Sequence, residues 1–116
     1  MQPVVSIGPN ESIRTAAERM IEAGVPAILV VDEGRIIGLL SNRDLVAKAV
    51  VQSLPADLTK VIDVMNDQPV RISDDRNIAN ALLVMQIRNV RQLVVQDFTG
   101  QVVGIFCDCG CNKDMK

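Results

Sequence analysis

Apolar positions along the chain switch between two periods. Ala27-Ile-Leu-Val-Val31 and Ile36-Ile-Gly-Leu-Leu40 are short apolar runs split by a turn at Glu33-Gly34. That is the pattern of a β-hairpin. Upstream, Ile13, Ala16, Ala17 and Met20 recur at i, i+3, i+4 and i+7, one face of a helix, with Asn10 expected as its N-cap. A short extended segment, Val4 to Ile7, comes before it. The hairpin runs into Ser41-Asn-Arg-Asp44, where a hydroxyl followed three residues later by a carboxylate opens a helix. This helix is expected from about Asn42 to Gln52, with Val46, Ala49, Val50 and Leu45 as its buried stripe.

The same order of elements occurs twice. Gln2-Pro3-Val4 lies against Gln68-Pro69-Val70, an offset of 66. Ile13, Ala16, Ala17 and Met20 lie against Ile78, Ala81, Leu82 and Met85 at 65, and Ile28-Leu-Val-Val-Asp32 against Leu93-Val-Val-Gln-Asp97, again at 65. One extra residue in the second turn then sets Gly34 against Gly100 and Gly38 against Gly104 at 66. The second copy thus has an extended segment at Val70 to Ile72 and a helix with Asp75 as expected N-cap, and its hairpin follows. A short helical turn, Thr59 to Met65, opens it. The expected division is a first repeat over 1–53, a linker over 54–59, a second repeat over 60–111 without a closing helix, and a tail over 112–116. The expected fold is α/β (α+β): two pseudo-symmetric β-α-β-β-α repeats packed face to face, since one half alone buries too little apolar surface.

Composition narrows the function. Of 116 residues, 48% are hydrophobic, yet Phe98 and Phe106 are the only aromatics, so the core is aliphatic. Net charge is −2 with Lys and Arg scattered, which argues against a phosphate-backbone footprint, and there is almost nothing on which to stack bases. No apolar run approaches the ~20 residues of a membrane span, and no signal-peptide layout opens the chain. A soluble, cytoplasmic protein is expected. The absence of His removes the usual general base at neutral pH. No nucleophile elbow or glycine-rich phosphate loop occurs, so an enzyme is not expected.

Ser41 and Asp44 deliver a hydroxyl and a carboxylate together at a strand-to-helix corner, beside backbone N–H groups. Such a corner suits an anion or a hydroxyl-rich ligand. A capping box needs the same residues at the same spacing and no ligand, and the two roles can coexist. Cys107, Cys109 and Cys111 end the second copy. On a strand their sulfurs share one face without converging, and a tetrahedral zinc site needs four ligands. They are either ordinary thiols or weak candidates for zinc or iron completed by a ligand from another chain or an extension.

The sequence resembles a tandem pair of CBS domains, the Bateman module. The residues that carry the resemblance are Ala16-Ala17-x-x-Met20 and Ile28-Leu-Val-Val-Asp32-x-Gly34-x-Ile36-Ile37-Gly38-x-Leu40-Ser41-x-Arg43-Asp44-Leu45, with their echoes down to Gly104-Ile-Phe106. The resemblance implies a regulatory module that binds AMP, ADP, ATP or S-adenosylmethionine between its halves, signals to a partner or fused domain, and associates as a homodimer. It implies that Ser41 contacts phosphate with help from Arg43, and that Asp44 takes ribose hydroxyls. Gly24, Val25 and Pro26 cover the purine, and Ile7 lines the same cleft. In the second copy Cys107 stands in place of Ser41, Cys109 of Arg43 and Gly110 of Asp44. One competent site is therefore expected, with Val90 and Arg91 contributing from the second copy, although Arg91 reads equally well as a solvated surface residue. Some relatives of this module carry a metal-binding ribbon after the pair. The alternative function is a structural dimerisation unit whose cleft is vestigial.

Overall fold

The apolar runs of both hairpins are strands, and the strands make two sheets of the same design. The computed structural model describes residues 4–73 and 78–107, with the backbone alone at 78. The first sheet joins β1 (Ser6–Ile7), β2 (Ala27–Asp32) and β3 (Arg35–Ser41) in that order, and the second joins β4 (Arg71–Ser73), β5 (Gln92–Gln96) and β6 (Val102–Cys107). In each, the first pair is parallel and the second antiparallel. Ser6 pairs with Leu29 as Arg71 pairs with Val94, and a bulge falls between Val30 and Val31 as between Val95 and Gln96. The duplication is thus repeated in register, residue by residue, and the class is α+β.

The two hairpin turns differ as the one-residue insertion requires. Glu33 and Gly34 both have positive φ, 50° and 79°, which makes a two-residue turn that matches strand twist. The second turn is longer. Asp97 donates its N–H to the Gln101 carbonyl at 2.9 Å, and Gly100 takes φ 90°.

Helix α1 (Ile13–Ala23) buries Ile13, Ala16 and Met20 against the first sheet's core. Its N-cap is Ser12, not Asn10: Ser12 is the last extended residue, and its Oγ accepts from Thr15 N–H at 3.1 Å. In the second copy α4 (Ile78–Arg88) buries Ala81 and Met85. The expected cap Asp75 lies outside the described residues.

After β3 the chain forms a short α2 (Asn42–Asp44) that widens into a π-helical turn, Leu45–Val50. The widening shows in i→i+5 bonds from Val51 N–H to Val46 and from Leu54 N–H to Ala49. The expected buried stripe is corrected here. Only Ala49 is buried, Leu45 is half-buried, and Val46 and Val50 are 57% and 71% exposed. Leu45 and Ala49 are one turn apart and face the core, so the valine that follows each is rotated about 100° away from it.

Helix α3 (Val61–Val64) packs into the first unit's core, with Val61 and Val64 fully buried. The strap that carries it is pinned along its length. Thr59 and Ala56 carbonyls accept from Ile13 and Arg14, Val61 N–H donates to Glu11, and Ile62 N–H donates to Pro9. By contacts the first unit runs Val5–Gln68 and takes in the strap.

Candidate functional site

The end of β3 and the start of α2 close on each other. Ser41 pairs with Ala27 on the sheet face opposite the core residues Ile28 and Leu40, and is 5% exposed, the one buried polar side chain among the described residues. Its Oγ accepts from Asp44 N–H at 3.1 Å and donates to Asp44 Oδ2 at 3.0 Å. The Ser41 N–H donates to the same Oδ2 at 2.9 Å. This is the reciprocal capping box the spacing predicts, and it fixes the carboxylate in one orientation.

Three further contacts define the surroundings. Asn42 N–H donates to the Pro26 carbonyl at 2.9 Å, tying the loop before β2 to the first turn of α2. That loop is shaped by Gly24, which ends α1 in the left-handed conformation at φ 68°. Val25 then turns back, donating to Met20 at 3.0 Å. On the other side, Lys48 Nζ lies 3.6 Å from Asp44 Oδ1 and donates to the Val64 carbonyl at 3.1 Å. Arg43 is exposed and makes no ion pair with a described residue.

The structure therefore brings Gly24, Val25, Pro26, Ser41, Arg43 and Asp44 to one end of the first sheet. Ile7 is placed differently. It pairs with Val30, three residues along β2 from the Ala27–Ser41 pair, and is buried in the first core. Val90 and Arg91 belong to the second unit, where they line a cavity of about 350 Å³ with Leu82, Met85, Gln86 and Asn89. Lys48 is the residue that sequence reading missed. Its signal was the four-residue spacing from Asp44 on a helix.

Cys107 ends β6 opposite Gln92 as Ser41 ends β3 opposite Ala27, so it occupies the equivalent corner position. It is disulfide-bonded, and Gln92 Nε2 lies 3.8 Å from its sulfur. The expectation of a free thiol or metal-binding thiolate at Cys107 is corrected on that ground, because its sulfur is already bonded. Cys109, Gly110 and Cys111 lie outside the described residues. Among the described residues no group of three or more His, Cys, Asp or Glu is arranged to hold a metal, and no helix is long and apolar enough to cross a membrane.

The CBS domain family model matches residues 1–50 and again 61–108. The chain belongs to the CBS-domain family. A CBS domain-containing protein of Bacillus subtilis, YhcV, is 30% identical over 102 residues, covering 88% of this chain and 71% of that one. An Arabidopsis thaliana CBS domain-containing protein is 29% identical, but the matched CBS segment is only 19% of its length. A CBS domain protein of Pyrobaculum aerophilum complexed with AMP superposes with TM-score 0.80 at 26% identity, covering 92% and 82% of the two chains. The cytosolic domain of the Mg2+ channel MgtE in complex with ATP superposes with TM-score 0.70 at 25% identity, covering 96% and 44%. CBS-domain proteins are generally regulatory ligand-binding modules, and of these two structural neighbours one is complexed with AMP and the other with ATP.

Proposed function

We propose that the first repeat binds an adenosine-bearing ligand (AMP, ADP, ATP or S-adenosylmethionine) at the Ser41–Asp44 corner, and that occupancy regulates a partner or a fused domain. The observation that carries this is Asp44, a carboxylate held rigid by Ser41 and one hydrogen-bonded step from the Pro26 loop. A carboxylate accepts from both hydroxyls of a ribose diol. Arg43 is free to make charge-assisted contacts to phosphate, with Ser41 beside it. The backbone of Gly24, Val25 and Pro26 meets the purine edge. The AMP and ATP held by the two structural neighbours support the same ligand class. Regulation needs only that the ligand prefer one arrangement of the protein over another. The reading involves no bond chemistry, and Cys107 at the equivalent corner leaves it one site, in the first repeat.

Thermal shift with AMP, ADP, ATP and S-adenosylmethionine tests this, because a ligand of the folded state raises the melting temperature by mass action. At least one is expected to do so, and Asp44→Ala to abolish the rise. A phosphate-free ligand depends on Asp44 but not on Ser41 or Arg43. If no ligand moves the melting temperature, the reading fails.

A second reading, a dimerisation module, is favoured by one observation. Val46, Val50 and Val51 are exposed beside the corner helix, as are Leu82, Leu83 and Ile87 on α4. Native mass spectrometry showing a dimer, with no ligand response, is the result it expects.

A further inference from the structure

Lys48 links the ligand corner to the strap between the repeats. Asp44 Oδ2 takes two hydrogen bonds from Ser41, and Oδ1 faces Lys48 Nζ at 3.6 Å. Each carboxylate oxygen offers about two lone-pair sites, so the two Ser41 bonds fill Oδ2 and an incoming cis-diol is left Oδ1. There its two donors compete with the Lys48 ammonium. The Ser41 bonds, at 2.9 and 3.0 Å, are short and part-buried. The Lys48 pair is longer than hydrogen-bond range, and its ammonium side chain is 43% exposed. It is the contact that gives way.

We infer that Lys48 is a positioning residue that latches Asp44 to the C-terminal carbonyl of α3, and that a cis-diol ligand opens this latch. The inference rests on the corner being the ligand site. In the closed form the ammonium is held between Asp44 and the Val64 carbonyl. Once the diol takes Asp44, one of those two anchors is lost and α3 is held less firmly. Two residues past Val64, Asn66 exchanges backbone hydrogen bonds with Leu39, on the strand that ends at Ser41. The second unit begins three residues further on, at Pro69. Ligand occupancy is thereby read out on the segment that leads from one repeat to the next.

The test compares AMP with 2′,3′-dideoxy-AMP, which has the same base and phosphate but no diol. Calorimetry gives the affinity ratio, and amide hydrogen exchange follows Met65 and Asn66. In the native protein AMP is expected to speed exchange at these amides by roughly twofold to fivefold, the fold-change of a part-exposed ion pair, while the dideoxy analogue does not. Lys48→Met is expected to show the fast exchange without ligand, to lose the response to AMP, and to raise the preference for AMP over its analogue by up to roughly fivefold. A purely structural lysine does not move that ratio. If AMP binds with a diol preference but the amides do not respond, or Lys48→Met leaves the ratio unchanged, the latch is overturned and the ligand corner stands. If AMP does not bind, or binds no better than the dideoxy analogue, the latch is overturned, and the ligand corner falls with it only if ADP, ATP and S-adenosylmethionine also leave the melting temperature unmoved.

Discussion

Leu39 and Asn66 exchange two backbone hydrogen bonds, each 2.9 Å long, so the strap covers the free edge of β3. The approach depends on Gly38. A Cβ there would lie 2.5 Å from Met65 Sδ and 2.9 Å from the Asn66 carbonyl oxygen. Methionine can swing aside, but the backbone oxygen cannot without breaking the pairing. Gly38→Ala is expected to destabilise the protein by roughly 1–3 kcal/mol, read as a lower urea midpoint.

Ser41→Ala removes the acceptor for Asp44 N–H and one donor to its carboxylate. Loss of such a cap costs about 1 kcal/mol, which chemical denaturation resolves. A stability equal to the native protein's would show that the capping box contributes nothing.

Glu33 holds φ 50° at the first position of a turn that favours Asn-Gly. The residue is exposed, so changing it disturbs no packing. Glu33→Asn is expected to raise stability by about 0.5–1 kcal/mol, seen as a higher melting temperature.

Asp97 organises the second turn. Its Oδ1 accepts from the Thr99 hydroxyl and from the N–H groups of Thr99 and Gln101. The Thr99 hydroxyl above all, with further help from the backbone donors, holds its carboxyl below the ordinary value of 3.8 against the opposing effect of desolvation. A depressed folded-state pKa contributes stability that is present above the unfolded value and lost as pH falls through the folded one. The loss therefore begins near pH 3.8 and continues below it. Asp97→Asn is expected to flatten that part of the stability–pH curve, measured by denaturation at a series of acid pH values. An unchanged acid limb would show that Asp97 does not contribute to it.

Much of the fold could be read from residues alone because it rests on local rules. Alternation and turn chemistry gave both hairpins, and the apolar offsets of 65 and 66 gave the duplication that the strand registers repeat. Ser41 and Asp44 were legible because a cap and a ligand corner use the same spacing. The misses share a cause: each depends on a partner distant in sequence. Val46 and Val50 have the apolar character of a buried stripe, but the core is met by Leu45 and Ala49, on the side where α3 lies. Ser12 displaced Asn10 as cap where the chain pairs with Lys60. Lys48 gains its meaning only when the Val64 carbonyl is placed beside it.

The strap has a practical corollary for taking the protein apart. The first repeat read from the sequence stops at residue 53, whereas the first unit in space extends to Gln68, 15 residues further. Excision at the earlier point would strip Val61 and Val64 out of the interior and leave the outer edge of β3 bare. A cut behind Gln68 keeps the strap, Val61 and Val64 with the first unit.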